Sequence, residues 1–134
     1  MLRLKGNRLS WVCGRVTLWT RSIISLSPDD IILAGFPKTG STWIRYFLYL
    51  VLTQRKDGME HSIDAMNAAM PEFANASFFL EWPFEECSRL VKTHQKCLPF
   101  FKTKQSVLVV RDPRDIVVSY FHYLTGLKHS GFGG

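Results

Sequence analysis

Cysteine is scarce in this sequence, and none of its cysteines lies in a disulfide or metal-binding pattern. There are three among 134 residues, an odd number, and no pair has CxxC spacing. This argues against a disulfide framework and a cysteine-based zinc site, and it favours a reducing compartment, for which we expect the cytoplasm. We interpret each thiol as a small hydrophobic side chain packed in the protein: Cys13, Cys87 and Cys97.

A long apolar run is also missing, so the sequence predicts no membrane-spanning helix. Arginines and polar residues interrupt each apolar stretch of residues 1–28 before it reaches the roughly 20 residues that a bilayer requires. The composition is otherwise ordinary for a globular protein, 46% hydrophobic and 21% charged, and the length suits one domain. The net charge of +6 suggests an anionic partner, which could be a nucleotide, a nucleic acid or a membrane.

Acidic residues are absent from residues 1–28, which carry five basic side chains. Apolar residues recur there at helical spacings of three and four: Leu9, Val12, Val16, Trp19, Ile23 and Leu26. We therefore predict a basic amphipathic N-terminal segment at 1–28, before a domain at 29–134. The favoured interpretation is a helix that packs its apolar stripe on that domain. A helix that binds a membrane surface or a partner, and an organelle-targeting peptide, are the alternatives.

Three apolar segments predict the strands of a parallel sheet, at residues 31–35, 89–92 and 106–110. The third is strongly β-branched, and we expect it to be buried. Helices are predicted after the first and third strands, at 43–52 and 116–124, with Asp112 as the N-cap of the second. This order predicts an α/β fold in which helices flank the sheet.

The segment after the first strand has the features of an anion-binding loop. Strand, tight turn and helix start follow one another, and this order aims backbone N–H groups at one point. Lys38 adds a cation to the loop. Hydroxyl donors come from Thr39, Ser41 and Thr42.

The loop departs from the GxxxxGK[ST] motif of nucleotide triphosphatases. Gly35 and Gly40 have the motif's spacing, but Ser41 occupies the position of its lysine. No clear acid follows a strand to serve as a second magnesium ligand. A kinase or triphosphatase function is therefore disfavoured.

Basic or titratable side chains follow all three predicted strands. Lys38, His94 and Arg111 each come just after a strand end. The carboxyl ends of parallel strands share one edge of a sheet, and ligands bind there in α/β folds. We expect these three side chains to meet.

Three motifs of the sequence resemble those of sulfotransferases that use 3′-phosphoadenosine 5′-phosphosulfate (PAPS). Residues 37–43 (PKTGSTW) resemble the family's PKSGTTW phosphosulfate loop. Residues 90–94 (LVKTH) resemble the strand end with the catalytic histidine, and residues 109–120 (VVRDPRDIVVSY) resemble the 3′-phosphate motif. The resemblance covers about residues 30–125, which is the N-terminal half or so of a family member.

The resemblance implies a P-loop-like three-layer fold that is incomplete here, because the later RKGxxGxxK-like segment of the family is missing. It also implies the function, which is transfer of a sulfuryl group from PAPS to the hydroxyl or amine of a small molecule. The product from the donor would be 3′-phosphoadenosine 5′-phosphate (PAP). No metal is expected to be needed, because lysines can replace magnesium. Nucleic acid is not an expected partner. A truncated, non-catalytic protein that binds PAPS or another nucleotide is the alternative.

The resemblance also implies roles for individual residues. In the catalytic set, Lys38 would neutralise the leaving phosphate oxygen, Lys92 would steady the sulfuryl oxygens and His94 would be the base. Arg111 and Ser119 would bind the 3′-phosphate, and Trp43 would pack near the adenine. The full donor-binding set is Lys38, Thr39, Gly40, Ser41, Thr42, Trp43, Arg111 and Ser119.

Overall fold

Three short parallel strands form the centre of the fold. The computed structural model describes residues 8–54, 56–79 and 81–129, and its strands are β1 (Ile31–Gly35), β2 (Leu90–Thr93) and β3 (Ser106–Val109). β1 lies in the middle and pairs in parallel with both neighbours, in the order β2-β1-β3. The predicted α/β architecture, a parallel sheet flanked by helices, is confirmed.

The described ranges also contain four α-helices and two short 3₁₀ turns. The helix predicted at 43–52 is confirmed and begins two residues earlier, and the helix predicted at 116–124 is part of a longer one. The α-helices are α1 (Arg8–Ile24), α2 (Ser41–Thr53), α3 (Ile63–Ala69) and α4 (Pro113–His129), and the 3₁₀ turns are Ala76–Phe79 and Pro99–Phe101.

The register of the strands decides what meets at their carboxyl ends. Ala34 pairs with Thr93, and Gly35 pairs with Val109. The three strands therefore end within one residue of the same level, and Phe36, His94 and Val110 follow them at one edge of the sheet. This is the edge at which the sequence places its candidate site.

Aromatic side chains of the irregular region after α3 form much of the core. The Phe73 ring contacts those of Trp19, Phe78 and Phe101, with centroids 5.2, 6.1 and 5.2 Å apart. Phe84 packs in a second cluster with Tyr49, Met66 and Met70. These aromatic side chains therefore act as packing residues of the core.

Burial of the third strand was predicted wrongly. Val107 and Leu108 of β3 are 50% and 70% exposed. β3 is an edge strand of this sheet, and an apolar strand is buried only where other elements cover its faces. The residue types of a strand indicate that it favours burial, but they do not show whether another element packs against it.

Helix α1 packs only part of its predicted stripe. Trp19 and Leu26 lie against the first core cluster, whereas Val12, Val16 and Ile23 are exposed. Ser22 takes the most buried position of the helix and accepts a hydrogen bond from the Ala74 N–H at 3.2 Å. The side chain of Leu9, like residues 1–7, lies outside the described part. Within that part, no helix is both long and apolar enough to cross a bilayer.

The cysteines do not pack as small hydrophobic side chains. Cys13, Cys87 and Cys97 are all exposed thiols. The first lies on the outer surface of α1, and the other two lie in loops outside both core clusters. That interpretation is wrong, although no disulfide joins any of the three.

The ion pair between Asp30 and Arg89 fixes the chain just before β1. The Asp30 carboxylate accepts hydrogen bonds from Arg89 Nε at 2.9 Å and from Arg89 Nη2 at 2.7 Å. It also accepts one from the Ser27 N–H at 2.8 Å. Two parallel N–H bonds to one carboxylate are the strong, oriented form of this interaction. They join the residues before β1 to those before β2.

Candidate functional site

The loop after β1 is closed by its own hydrogen bonds. The N–H and hydroxyl of Thr39 both donate to the Phe36 carbonyl, at 3.2 and 2.8 Å. Lys38 adopts a left-handed conformation with φ of 71°, which is unusual for a residue with a side chain. A tight turn is needed here because the chain must reverse from strand to helix.

Helix α2 begins immediately after this turn. Gly40 is its N-cap, with φ of 100°, a conformation that favours glycine. The Trp43 and Ile44 N–H groups donate to the Gly40 carbonyl at 2.9 and 3.2 Å. The first N–H groups of an α-helix have no acceptor within the helix. Those of α2 therefore add partial positive charge next to the loop.

His94 is anchored across the sheet edge. Its Nδ1 lies 2.7 Å from the Gly35 carbonyl. A carbonyl oxygen only accepts, so Nδ1 carries the hydrogen of this bond. In the neutral ring Nε2 is then unprotonated, and it can accept a proton from a bound molecule.

Arg111 reaches the loop from the end of β3. Its Nη1 donates to the Lys38 carbonyl at 3.4 Å, and its Nε lies 3.6 Å from the Asp115 carboxylate. Asp112 caps α4 as predicted, accepting from the Arg114 N–H at 2.8 Å. Hydrogen bonds from Arg114 hold the pKa of Asp112 below its ordinary value.

The two lysines have different partners. The Lys92 ammonium donates to the Glu72 carboxylate at 3.1 Å. The Lys38 ammonium lies over the ring of Tyr123, 4.5 Å from its centroid. A cation over an aromatic face at this distance is attracted to it.

All these elements surround one cleft of about 440 Å³ at the carboxyl edge of the sheet. Nine of the ten residues predicted from the sequence line it: Lys38, Gly40, Ser41, Thr42, Trp43, Lys92, His94, Arg111 and Ser119. Thr39 is not part of the wall, because its hydroxyl is turned into the loop. Pro37, Tyr120 and Tyr123 complete the lining.

The model of the sulfotransferase domain family matches residues 28–131. The match contains all three strands and every residue of the cleft. The chain belongs to the sulfotransferase domain family.

Individual sulfotransferases are similar to this chain over 72% of its length. Cytosolic sulfotransferase 1 of Danio rerio is 32% identical over 108 residues, and sulfotransferase 1 family member D1 of Rattus norvegicus is 31% identical over 107. Flavonol 3-sulfotransferase of Flaveria bidentis is 26% identical over 110 residues. The match covers 36% of each of the first two proteins and 34% of the third, so the chain spans about a third of the length of these relatives.

Sequence reasoning missed two tyrosines of the cleft. Tyr123 follows Ser119 by four residues on α4, and residues four apart share a face of a helix. Applying that spacing from Ser119 would have found it. Tyr120, directly after Ser119, reaches the cleft as well, and no spacing rule singles it out.

The cleft is lined mainly by groups that favour an anion. Lys38, Lys92 and Arg111 supply three cationic side chains, and α2 supplies its N-terminus. No carboxylate belongs to the lining itself, while Glu72 and Asp115 lie behind it as partners of Lys92 and Arg111. Within the described ranges, no group of three or more His, Cys, Asp or Glu residues could hold a metal ion.

Proposed function

We propose that this cleft binds PAPS and transfers its sulfuryl group to a hydroxyl or amine of a small molecule. One observation carries the proposal. Lys38, His94 and Arg111, which lie far apart in sequence, line a single cleft beside the N-terminus of α2. Membership of the sulfotransferase family supports the reaction class.

The loop end of the cleft suits the phosphosulfate. The N–H groups at the start of α2, with the hydroxyls of Ser41 and Thr42, are donors for the oxygens of a 5′-phosphate. The Lys38 ammonium stands beside them and neutralises charge on the bridging oxygen. Thr39 closes the loop through Phe36, so its own contact with the donor stays a prediction.

The α4 end of the cleft suits the 3′-phosphate. Arg111 precedes the helix and Ser119 lies about two helical turns into it, and both face the same cavity. A guanidinium and a hydroxyl are common ligands of phosphate oxygens. Trp43, which is 72% exposed, offers a flat apolar surface for the adenine.

The proposed chemistry is an in-line displacement at sulfur. The acceptor oxygen or nitrogen forms a bond to sulfur while the bond between sulfur and the bridging phosphate oxygen breaks, and PAP leaves with that electron pair. His94 Nε2 takes the acceptor's proton, and Lys92 steadies the sulfuryl oxygens. Absence of a metal requirement remains a prediction.

Sulfuryl transfer from labelled PAPS to a panel of phenols, alcohols and amines tests this proposal. We expect turnover by the wild-type chain, and a fall of about 100-fold or more in Lys38→Ala and in His94→Ala. Lys102→Ala and His61→Ala are matched controls outside the cleft and should leave the rate unchanged. No turnover with any acceptor would overturn the enzymatic proposal.

The second candidate function is donor binding without transfer. The exposed side chains of β3 favour this second function. β3 is the strand that precedes Arg111, and it pairs with the sheet on one side only. In that case PAP should raise the unfolding temperature of the chain without any turnover of PAPS. Arg111→Ala should remove the rise.

Compartment and partners complete the proposal. The three cysteines without a disulfide agree with a reducing compartment, and one relative is named a cytosolic sulfotransferase, so we propose a cytoplasmic location. The partner is a small-molecule acceptor, and no nucleic acid is expected. Membrane contact through residues 1–28 and the division of the chain after residue 28 stay predictions.

A further inference from the structure

A partly buried charge network lies directly behind the cleft, on the side of Lys92. Lys92 is 9% exposed, and its ammonium donates to Glu72 Oε2 at 3.1 Å. Lys92 lines the cleft, whereas Glu72 lines a separate polar pocket of about 310 Å³. Glu72 is therefore outside the cleft lining and contacts one of the residues that line it, Lys92.

The backbone fixes Glu72 opposite Lys92. The Lys92 N–H donates to the Pro71 carbonyl at 3.0 Å, and the Phe73 N–H donates to the Lys92 carbonyl at 2.8 Å. These bonds form an isolated parallel bridge between Glu72, which belongs to no strand, and Lys92 of β2. Residues paired in this way present their side chains on the same face, so the ion pair is set by the fold and not by chance surface contact.

A second cation, Arg45, lines the same polar pocket as Glu72. Arg45 is 3% exposed and donates to Asn67 Oδ1 and to the Met70 carbonyl. Its Nε is buried without a hydrogen-bond partner in the described part of the chain. Burial lowers the pKa of Arg45, and the negative charge of Glu72 opposes that effect.

We propose that Glu72 is a positioning residue that holds the Lys92 ammonium at the cleft wall, with Arg45 behind it as a second counter-charge. This inference rests on the proposed function, in which Lys92 contacts the sulfuryl oxygens. Without the carboxylate, Lys92 and the buried Arg45 would both lack the negative charge of Glu72. Lys92 would then lose the partner that fixes its place.

Comparison of PAPS with PAP isolates this role, because PAP lacks the sulfuryl group that Lys92 contacts. Calorimetric titration gives the dissociation constants of both for each variant. Glu72→Gln should reduce the preference for PAPS over PAP about tenfold, as expected for one lost charge-assisted contact. Lys92→Met should do the same, and the double variant should lose no more than Lys92→Met does.

Two further variants complete the design. Glu72→Asp keeps the charge, but its side chain is shorter by one methylene. The preference of this variant for PAPS over PAP should therefore lie between those of wild type and Glu72→Gln. It also decides the question if Glu72→Gln does not fold. Glu85→Gln removes an exposed carboxylate of the same type and should change neither affinity.

The outcomes separate the inference from the proposed function. If Lys92→Met reduces the preference for PAPS and the Glu72 variants do not, the positioning role is wrong while the proposed function stands. Equal weakening of PAPS and PAP in the Glu72 variants would show a general structural role and overturn the inference as well. Failure of the wild-type chain to bind either nucleotide would overturn the proposed function, and the inference with it.

Discussion

The ammonium of Lys38 lies over the ring of Tyr123, 4.5 Å from its centroid, across 85 residues of sequence. Arg111 holds the same residue by its carbonyl, at 3.4 Å. The backbone of Lys38 is therefore tied to Arg111, just before α4, and its side chain is tied to α4 itself. These contacts hold the Lys38 ammonium in the cleft. Most of the other side chains of α4 are exposed.

Removal of the Tyr123 ring should weaken binding of the donor product. A cation–π contact at an exposed site contributes about 0.5–1 kcal/mol, so the dissociation constant for PAP should rise about 2- to 5-fold in Tyr123→Leu. Tyr123→Phe keeps the ring and should bind like wild type. Phe121→Leu is the control, because Phe121 lies on α4 outside the cleft. A Tyr123→Phe variant as weak as Tyr123→Leu would show that the hydroxyl matters and not the ring face.

Gly35→Ala should destabilise the protein at the start of the loop. A Cβ at this position would lie 2.8 Å from Thr39 Oγ1 and 3.2 Å from the Val109 carbonyl. Overpacking of this kind costs about 1–3 kcal/mol of unfolding free energy, measurable by urea denaturation. Gly14→Ala is the matched control, since nothing lies within 4 Å of its Cβ. On helix α1 that change should stabilise the protein by about 0.5–1 kcal/mol. Equal stabilities for the two variants would refute the packing argument.

Asp30→Asn should lower the free energy of unfolding more than Asp29→Asn does. The Asp30 carboxylate is buried and accepts from Arg89 and from the Ser27 N–H, so its loss leaves Arg89 without a counter-charge. Because Arg89 is partly exposed, we expect a loss of about 2–3 kcal/mol of unfolding free energy. Asp29→Asn, at an exposed position, should change it by less than about 0.5 kcal/mol. The prediction fails if the two variants unfold at the same urea concentration.

The cap of α4 should give a pH-dependent contribution to stability. The pKa of Asp112 is lowered in the folded protein, by side-chain and then backbone hydrogen bonds from Arg114. A lowered pKa means that the stabilisation is complete above the ordinary carboxyl value, and that it is lost as the pH falls through the folded-state value. Asp112→Asn should therefore lower the unfolding temperature at neutral pH, and the difference should shrink on acidification. A difference that stays constant from neutral to acid pH would contradict this assignment.

Local signals in the sequence predicted much of the site. The order of strand, turn and helix around Lys38 depends on residues adjacent in the chain, and the structure has this order. The parallel sheet follows from three apolar segments separated by helices. Once the strands are parallel, His94 and Arg111 must meet the loop at one edge, as the cleft shows.

Pairings between distant residues could not be predicted in the same way. Lys92 with Glu72 and Asp30 with Arg89 depend on which segments lie side by side, and neither pattern nor composition specifies that. Exposure of β3 was unpredictable for a related reason. Val107 and Leu108 indicate a strand that favours apolar cover, but the position of the cover is a property of the whole fold.

The central claim is that this cleft binds a nucleotide carrying both a 5′-phosphate group and a 3′-phosphate. Calorimetric titration of the chain with PAP and with adenosine 5′-monophosphate tests it most directly, because the two differ only in the 3′-phosphate. The account predicts that wild type prefers PAP by about 10- to 100-fold, as expected for charge-assisted hydrogen bonds to one phosphate. It predicts that Arg111→Ala removes most of this preference, while the exposed control Arg114→Ala keeps it. Equal affinity of wild type for the two nucleotides would contradict the account.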